Sequence, residues 1–357
     1  MSQSVYPELY QNSISVLKQL IATPSFSKEE GGTATAICDF LNGKNISANR
    51  HLNNVWVVNK YYDPAKLTIL LNSHHDTVRP NSGYTEDPFV PIEEDGKIYG
   101  LGSNDAGASL VALLSVFMHF YNEPNLKCNL VFAASAEEEI SGVNGIEALL
   151  PKIGNIDFAI VGEPTQMKMA VAEKGLMVLD CICHGKSGHA ARDEGENAIY
   201  KAMHCIGWFK SYSFSRVSSL LGPVKMSVTM IQAGTQHNVV PSECSFTVDV
   251  RINECYTHEE VLEIVEQHVH CEVKPRSMRL RSSSISLGHP LIIAGIANGL
   301  EYFGSSTMSD KALMPFPALK MGPGDSARSH TADEYIYLDE INNGINIYIE
   351  LLNKILL

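Results

Sequence analysis

Apolar residues recur at helical spacing from Pro7 to Thr23, where Leu9, Ile14, Leu17, Leu20 and Ile21 share one face and Pro24 ends the run. The pattern then shortens to apolar runs of strand length: Val55 to Val58, Leu67 to Leu71, Asn129 to Ala133 and Ile156 to Val161. A helical stretch from Ala108 to Phe120 lies among them. Strands that alternate with helices predict an α/β sheet covered on both faces.

From Lys174 the rhythm changes. Leu176 to His184 alternates as a strand, Glu196 to Tyr212 reads as a helix, and Val224 to Gln232 and Glu243 to Arg251 alternate as two more strands. Thr257 and Glu260 form a capping box ahead of Val261, Leu262, Ile264 and Val265, which starts a second helix. A strand over Glu272 to Arg281 completes the order β-α-β-β-α-β, that of a ferredoxin-like sandwich. Ser282-Ser283-Ser284 and His289-Pro290 then mark a return to helix, and Ala318 to Gly322 reads as one more buried strand. The expected organisation is a larger α/β domain from residues 1–173 and 286–357, with a smaller α+β domain inserted at 174–285. No internal repeat and no low-complexity tract is present.

Composition narrows the class. A chain of 357 residues is long for one domain, and 45% apolar with 19% charged residues is the balance of a globular protein. The net charge of −13 argues against nucleic acid or an anionic membrane as partner. The first residues have neither a basic stretch nor an apolar core, and charge or glycine interrupts every apolar run before membrane-spanning length. A cytoplasmic protein with a small-molecule substrate is expected. The 8 cysteines include no C-x-x-C pair and read as free thiols of a reducing compartment. Cys181 and Cys183, on one strand, are expected to face opposite ways.

Candidate chemistry gathers at the ends of the apolar runs. His74, Asp105, Glu139, Glu163 and His330 are potential metal ligands, and the first four fall just after a strand or just before a helix, where open α/β sheets collect their active-site groups. Two imidazoles and three carboxylates suit a pair of divalent ions with one carboxylate bridging them. Such a pair activates water and polarises a carbonyl, so the expectation is a hydrolase. Glu137, Glu138 and Glu139 are consecutive acids after a buried strand, an arrangement that like-charge repulsion makes costly without cations nearby. His75 should point away from His74 on an extended backbone and is expected to be structural.

Five motifs stand in order: His74-His75-Asp76, Gly100-Leu101-Gly102-Ser103-Asn104-Asp105, Glu137-Glu138-Glu139, Gly162-Glu163-Pro164-Thr165 and His330. With the inserted unit between the fourth and fifth, the chain resembles, over essentially its whole length, the di-zinc aminoacylase and acetylornithine deacetylase family. That family also contains succinyl-diaminopimelate desuccinylase and the carboxypeptidase G-type metallopeptidases. The resemblance implies a zinc-peptidase-like catalytic domain with a mixed sheet flanked by helices, and a ferredoxin-like lid domain through which two chains dimerise. It implies two Zn2+ per chain, with Co2+ or Mn2+ as substitutes. Asp105 would bridge them, His74 and Glu163 completing one site and Glu139 and His330 the other.

By the same resemblance Asp76 orients the His74 imidazole and Glu138 is the general base, although a one-residue slip would put the base at Glu137. His189 would reach across the dimer interface to the scissile carbonyl, Asn238 would contact substrate, and Arg251 would grip a substrate carboxylate. Gly324, in Gly322-Pro323-Gly324, resembles the Gly-Pro-Gly element of acetylornithine deacetylases and acyl-lysine hydrolases. Leu101 and Ala106-Gly107 depart from relatives that carry Arg and Lys at the corresponding places. The activity implied is hydrolysis of an N-acyl-L-amino acid, with N-acetylornithine of arginine biosynthesis first. A desuccinylase, an acyl-lysine hydrolase, a dipeptidase or an aminoacylase are the alternatives on the same scaffold. Intact Glu138 argues against a metal-binding protein without turnover.

Overall fold

The computed structural model describes residues 4–192 and 194–357, which fall into two compact units. One comprises the chain up to Val171 together with Ile285–Phe303 and Ser309–Leu357; the other comprises Ala172–Ser284 and Gly304–Met308. Each folds around its own sheet.

In the first unit Thr68–His74 lies at the centre, parallel to Asn129–Ser135 on one side and to Phe158–Val161 on the other. Ala318–Lys320 extends the parallel set beyond Phe158–Val161, while Asn54–Val58 pairs antiparallel with Asn129–Ser135, so the sheet is mixed. Every residue of Thr68–His74 and Asn129–Ser135 is buried, as continuous apolar runs demand when both faces are covered. Leu70, Val131 and Ala133 pack against Ile146 and Leu149 on one face. Phe132 points the other way, to Phe117 of helix Ala108–Phe120. That helix packs in turn against Pro7–Ile21 and Leu338–Leu356.

Thr68–His74 runs three residues further than its apolar pattern, because Asn72, Ser73 and His74 keep pairing with Ala133, Ala134 and Ser135. His74 is thus the last residue of the strand. Helices Gly31–Gly43 and Leu338–Leu356 had no counterpart among the expected elements. The second could have been read from Ile341, Ile345, Tyr348, Ile349 and Leu352, all buried on one face.

In the second unit the spatial order is Glu272–Pro275, Gly175–His184, Glu243–Ile252, Lys225–Ala233, each strand antiparallel to its neighbours. Helix Ala198–Ser211 follows the first strand in the chain and His258–His268 the third, the latter opened by the capping box of Thr257 and Glu260. Ala202, Cys205 and Phe209 of one helix and Val261 and Val265 of the other meet Met177, Leu179, Phe246 and Val248 of the sheet. The last strand stops at Pro275, short of the Arg281 expected, and a proline supplies no N–H to carry the ladder on. The expectation for Cys181 and Cys183 was wrong. Side chains alternate with period two along a strand, so residues two apart share a face, and both thiols are buried in the core. Among the described residues no helix is long and apolar enough to cross a membrane.

Candidate metal centre

The parallel strands end in register, and the candidate ligands follow from that. His74 pairs with Ser135, so the turn bearing Glu138 and Glu139 leaves its strand beside His74. Glu163 follows Val161 of the neighbouring strand by two residues. Asp105 sits in the irregular turn Ser103–Gly107 that leads into helix Ala108–Phe120. His330 comes from the loop after Gly322-Pro323-Gly324, in the left-handed backbone region at φ 60°.

All five predicted ligands converge. His74 Nε2 lies 3.3 Å from Asp105 Oδ1 and 3.9 Å from Glu163 Oε1. His330 Nε2 lies 3.0 Å from Glu139 Oε2 and 3.8 Å from Asp105 Oδ2. Two sets of three donors, His74–Asp105–Glu139 and His74–Glu138–Glu163, each have their ligand atoms within 4.8 Å of one another. Those sets have His74 in common, but an imidazole nitrogen offers one lone pair and cannot bridge. Asp105 can, since one of its oxygens faces His74 and the other faces His330.

The electrostatics call for positive charge. Burial opposes a charged His74, yet the carboxylates of Asp105 and Asp76, with Glu138 and Glu163, hold its pKa well above the ordinary imidazole value. A hydrogen bond with Glu139 raises His330 to about 9, against the effect of burial. Burial works to raise Asp105 as well, but its hydrogen bond with His74 and the charges of both imidazoles keep it below the usual carboxylate range. Nitrogen and oxygen donors, one carboxylate turned to both sides and an excess of buried acids fit a pair of divalent cations.

Glu138 falls in the second of those sets, beside the five candidate ligands. Its Oε2 is 3.9 Å from His74 Nε2, its side chain is 14% exposed, and burial pushes its carboxyl well above the normal range, with Glu163, Asp310 and Glu139 adding to the shift and His74 opposing it. A carboxyl shifted in this direction keeps its proton to higher pH than a free glutamate does. Glu137 takes no part in the cluster. Its carboxylate accepts hydrogen bonds from the Asn144 side chain and backbone at 3.0 and 3.4 Å, and its own N–H donates to Glu30.

Asp76 meets the His74 imidazole with both its main chain and its carboxylate. The His74 Nδ1–H is 3.0 Å from the Asp76 backbone oxygen and 3.4 Å from its carboxylate Oδ1, so the main chain is the nearer acceptor. The carboxylate accepts from the backbone N–H groups of Glu138 and Glu139 at 3.0 and 3.1 Å and from the Ser27 hydroxyl at 2.7 Å. Asp76 therefore ties the turn of Glu138 and Glu139 to the strand of His74. His75 is structural, with Thr33 at 2.8 Å and the Asn53 carbonyl at 2.9 Å.

Two supporting acids were missed. Glu334 is buried and accepts the backbone N–H groups of Gly102, Asn104 and Asp105 at 2.8–2.9 Å, which fixes the turn that presents Asp105. Burial, then the charge of Asp105, raises it to about 8. Asp310, raised by burial to about 6, accepts from Ser135 and Asn72 beneath His74. Glu334 follows His330 by four residues, but its partners are main-chain groups more than 220 residues away, which leave no mark in the sequence. Glu334→Ala should weaken metal affinity about 10- to 100-fold with the ligands intact, measured by competition with a chelator. Unchanged affinity would mean that the turn holds its shape without Glu334.

Gly324 belongs to the same framework. It has φ 93°, and a Cβ there would lie 2.5 Å from the Asn104 side-chain oxygen. Asn104 uses that oxygen to accept the Asp325 N–H, which locks the Asp105 turn to the loop before His330. The remaining predicted residues lie in the inserted unit. His189 pairs with Val239 on a short ribbon, and Ala190 N–H donates to the Asn238 carbonyl, so His189 and Asn238 are brought together. His189 Nδ1 accepts the Ala191 N–H at 3.1 Å, which leaves Nε2–H as the donor. Arg251 turns one edge of its guanidinium to Asp249 on the same strand, at 2.8 and 3.0 Å.

A mixed sheet whose parallel strand ends gather two imidazoles, the ligand carboxylates and a separate buried acid defines a metal-dependent hydrolase. The chain belongs to peptidase family M20/M25/M40, whose family model matches residues 70–354. Its fold is similar to that of the aminopeptidase PepT from Bacillus cereus, with a TM-score of 0.79 and 17% identity over 97% of this chain and 98% of that one. A family M20 metallo-carboxypeptidase from Sulfolobus solfataricus is similar at TM-score 0.75 and 17% identity, over 95% and 98% of the two chains. A dinuclear metal-binding peptidase of family M20 from Bacillus subtilis is similar at TM-score 0.73 and 16% identity, over 97% and 98%. At these identities the likeness is one of fold.

Proposed function

We propose that this protein hydrolyses the amide bond of an N-acyl-L-amino acid, with N-acetylornithine as the principal substrate, in the cytoplasm. The observation that carries the hydrolytic reading is Glu138, a half-buried carboxyl held 3.9 Å from His74 Nε2 beside the five candidate ligands and additional to them. Two divalent cations, zinc by the nature of the donors, would be held by His74, Asp105, Glu139, Glu163 and His330 and would supply Lewis acidity toward water and the acyl carbonyl. Glu138 takes a proton from the attacking water at its carboxylate oxygen and delivers it to the leaving nitrogen. Asp76 keeps that carboxylate in place through the Glu138 N–H.

The inserted unit is proposed to be a ferredoxin-like lid and dimerisation domain, a reading that its strand order supports. His189 from the partner chain donates from Nε2 to the developing oxyanion, an effect worth about 3–4 kcal/mol for one well-placed donor. Arg251 receives the substrate carboxylate on the guanidinium edge that Asp249 leaves open. The preference for N-acetylornithine rests on Gly322-Pro323-Gly324. The test is kcat/KM of the metal-loaded protein on N-acetylornithine, N-succinyl-diaminopimelate, acyl-lysines and dipeptides. A higher value for any other member of that panel overturns the substrate, and no turnover of any member overturns the class.

The dimer has its own test. His189→Ala and Glu138→Gln chains should each be nearly inactive alone. After subunit exchange each heterodimer should regain one working site of its two, because the chain with intact Glu138 then faces a partner with intact His189. No recovery despite verified exchange would return His189 to its own chain's site or to a structural role.

A further inference from the structure

The inserted unit contains a second cluster of metal-ligating side chains, and it is made of sulfur alone. Cys183, Cys205 and Cys271 bring their Sγ atoms within 4.8 Å of one another. They come from three separate places: strand Gly175–His184, helix Ala198–Ser211, and the residue immediately before strand Glu272–Pro275. Cys183 and Cys205 are buried and Cys271 is half-buried, so the cluster is closed on the core side and reachable from the other. Cys181 lies on the same face of the strand as Cys183.

Two pairings of such thiols are chemically open, a disulfide and a shared cation, and distance separates them. Cys183 and Cys205 have their sulfurs 3.9 Å apart. A disulfide needs about 2.05 Å, so the two sulfurs would have to close by nearly 2 Å. A zinc–thiolate bond is about 2.3 Å, which places ligand sulfurs about 3.8 Å apart around a tetrahedral ion and about 4.0 Å apart around a trigonal one. The spacing of Cys183 and Cys205 lies within that interval.

We propose that Cys183, Cys205 and Cys271 form a binding site for one soft divalent cation of the zinc–cadmium class, separate in chemistry from the nitrogen- and oxygen-donor centre of the other unit. Soft thiolates select such ions over magnesium or calcium. The thiols are neutral without the ion: burial raises those of Cys183 and Cys205, and Cys271 is raised first by the Cys181 thiol and then by burial. Binding therefore displaces protons to solvent. In so apolar a setting the favoured product is uncharged, two thiolates and one thiol about a divalent ion, with release of about two protons per ion. The ion cross-links the first strand, the first helix and the last strand of the unit. Because it binds the folded unit and not a preformed site in the unfolded chain, it raises thermal stability.

Cd2+ is the probe, added to the full-length, metal-loaded protein. Thiolate-to-cadmium charge transfer absorbs in the ultraviolet, and the centre of His74, Asp105, Glu139, Glu163 and His330 has no sulfur to contribute to it. The expected result is a charge-transfer band that saturates at one ion per chain, with proton release in weak buffer. Cys271→Ser, at a half-buried position, should lower the affinity read from that band at least tenfold, while Cys255→Ser, outside the cluster, should leave it unchanged. A second measurement needs no variant: Zn2+ should protect Cys271 from iodoacetamide while Cys38 stays reactive, as read by peptide mass. No charge-transfer band at stoichiometric Cd2+, a band indifferent to Cys271→Ser, or a Cys183–Cys205 disulfide in protein purified in air would each overturn the proposal. None of these readouts depends on the hydrolytic reading of the other unit.

Discussion

Glu138→Gln should leave the metal content of the protein unchanged and lower turnover by about 100- to 10,000-fold, the range for loss of a positioned proton-transfer group. The substitution keeps the size and the backbone of the side chain, so the Glu138 N–H still donates to Asp76. What it removes is a carboxyl that burial and the neighbouring acids have shifted toward holding a proton. Its neighbours calibrate the result. Glu139→Gln should weaken one ion, because Glu139 faces His330 at 3.0 Å. Glu137→Gln should affect stability rather than turnover, since the Glu137 carboxylate is occupied by Asn144. Metal analysis and kcat on the three variants test the assignment. Metal loss at 138 with catalytic loss at 137 would mean that the register is displaced by one residue.

The convergence of the candidate ligands was legible for a physical reason. A buried parallel strand is apolar over most of its length, so a titratable group at or just beyond its end is conspicuous, and sheet geometry brings such ends together. His74, Glu139 and Glu163 were read in this way, and the end-to-end pairing of His74 with Ser135 is the reason that it works. The supporting shell was not legible, because its bonds run to main-chain atoms. Glu334 holds three N–H groups of the Asp105 turn, Asp76 holds two of the Glu138 turn, and the His74 imidazole meets a backbone carbonyl nearer than the acid expected to orient it. A backbone donor carries no residue type, so no pattern of side chains announces it. The thiol cluster was hidden for another reason. Cys183, Cys205 and Cys271 are isolated along the chain, and only the packing of helix on sheet brings them together.

Asp105→Ala should abolish binding of both ions, the largest metal effect of any single substitution in the chain. By the proposed assignment each of the other four ligands serves one side of the centre: His74 and Glu163 lie together at 3.9 Å, and Glu139 and His330 lie together at 3.0 Å. Asp105 turns one oxygen to each side, with Oδ1 3.3 Å from His74 Nε2 and Oδ2 3.8 Å from His330 Nε2. Its loss removes one donor from each set and also the negative charge that offsets two adjacent dications. Glu163→Gln, by contrast, should release one ion and retain the other. Zinc stoichiometry after dialysis against a weak chelator distinguishes the two outcomes, with the full complement expected in wild type, one ion fewer in Glu163→Gln and none at this centre in Asp105→Ala. If one ion stays tightly bound in Asp105→Ala, the two sets of ligands are independent sites that happen to be adjacent, and the bridging role falls. Glu334 should then matter to only one of them, because it acts on the centre through the Asp105 turn.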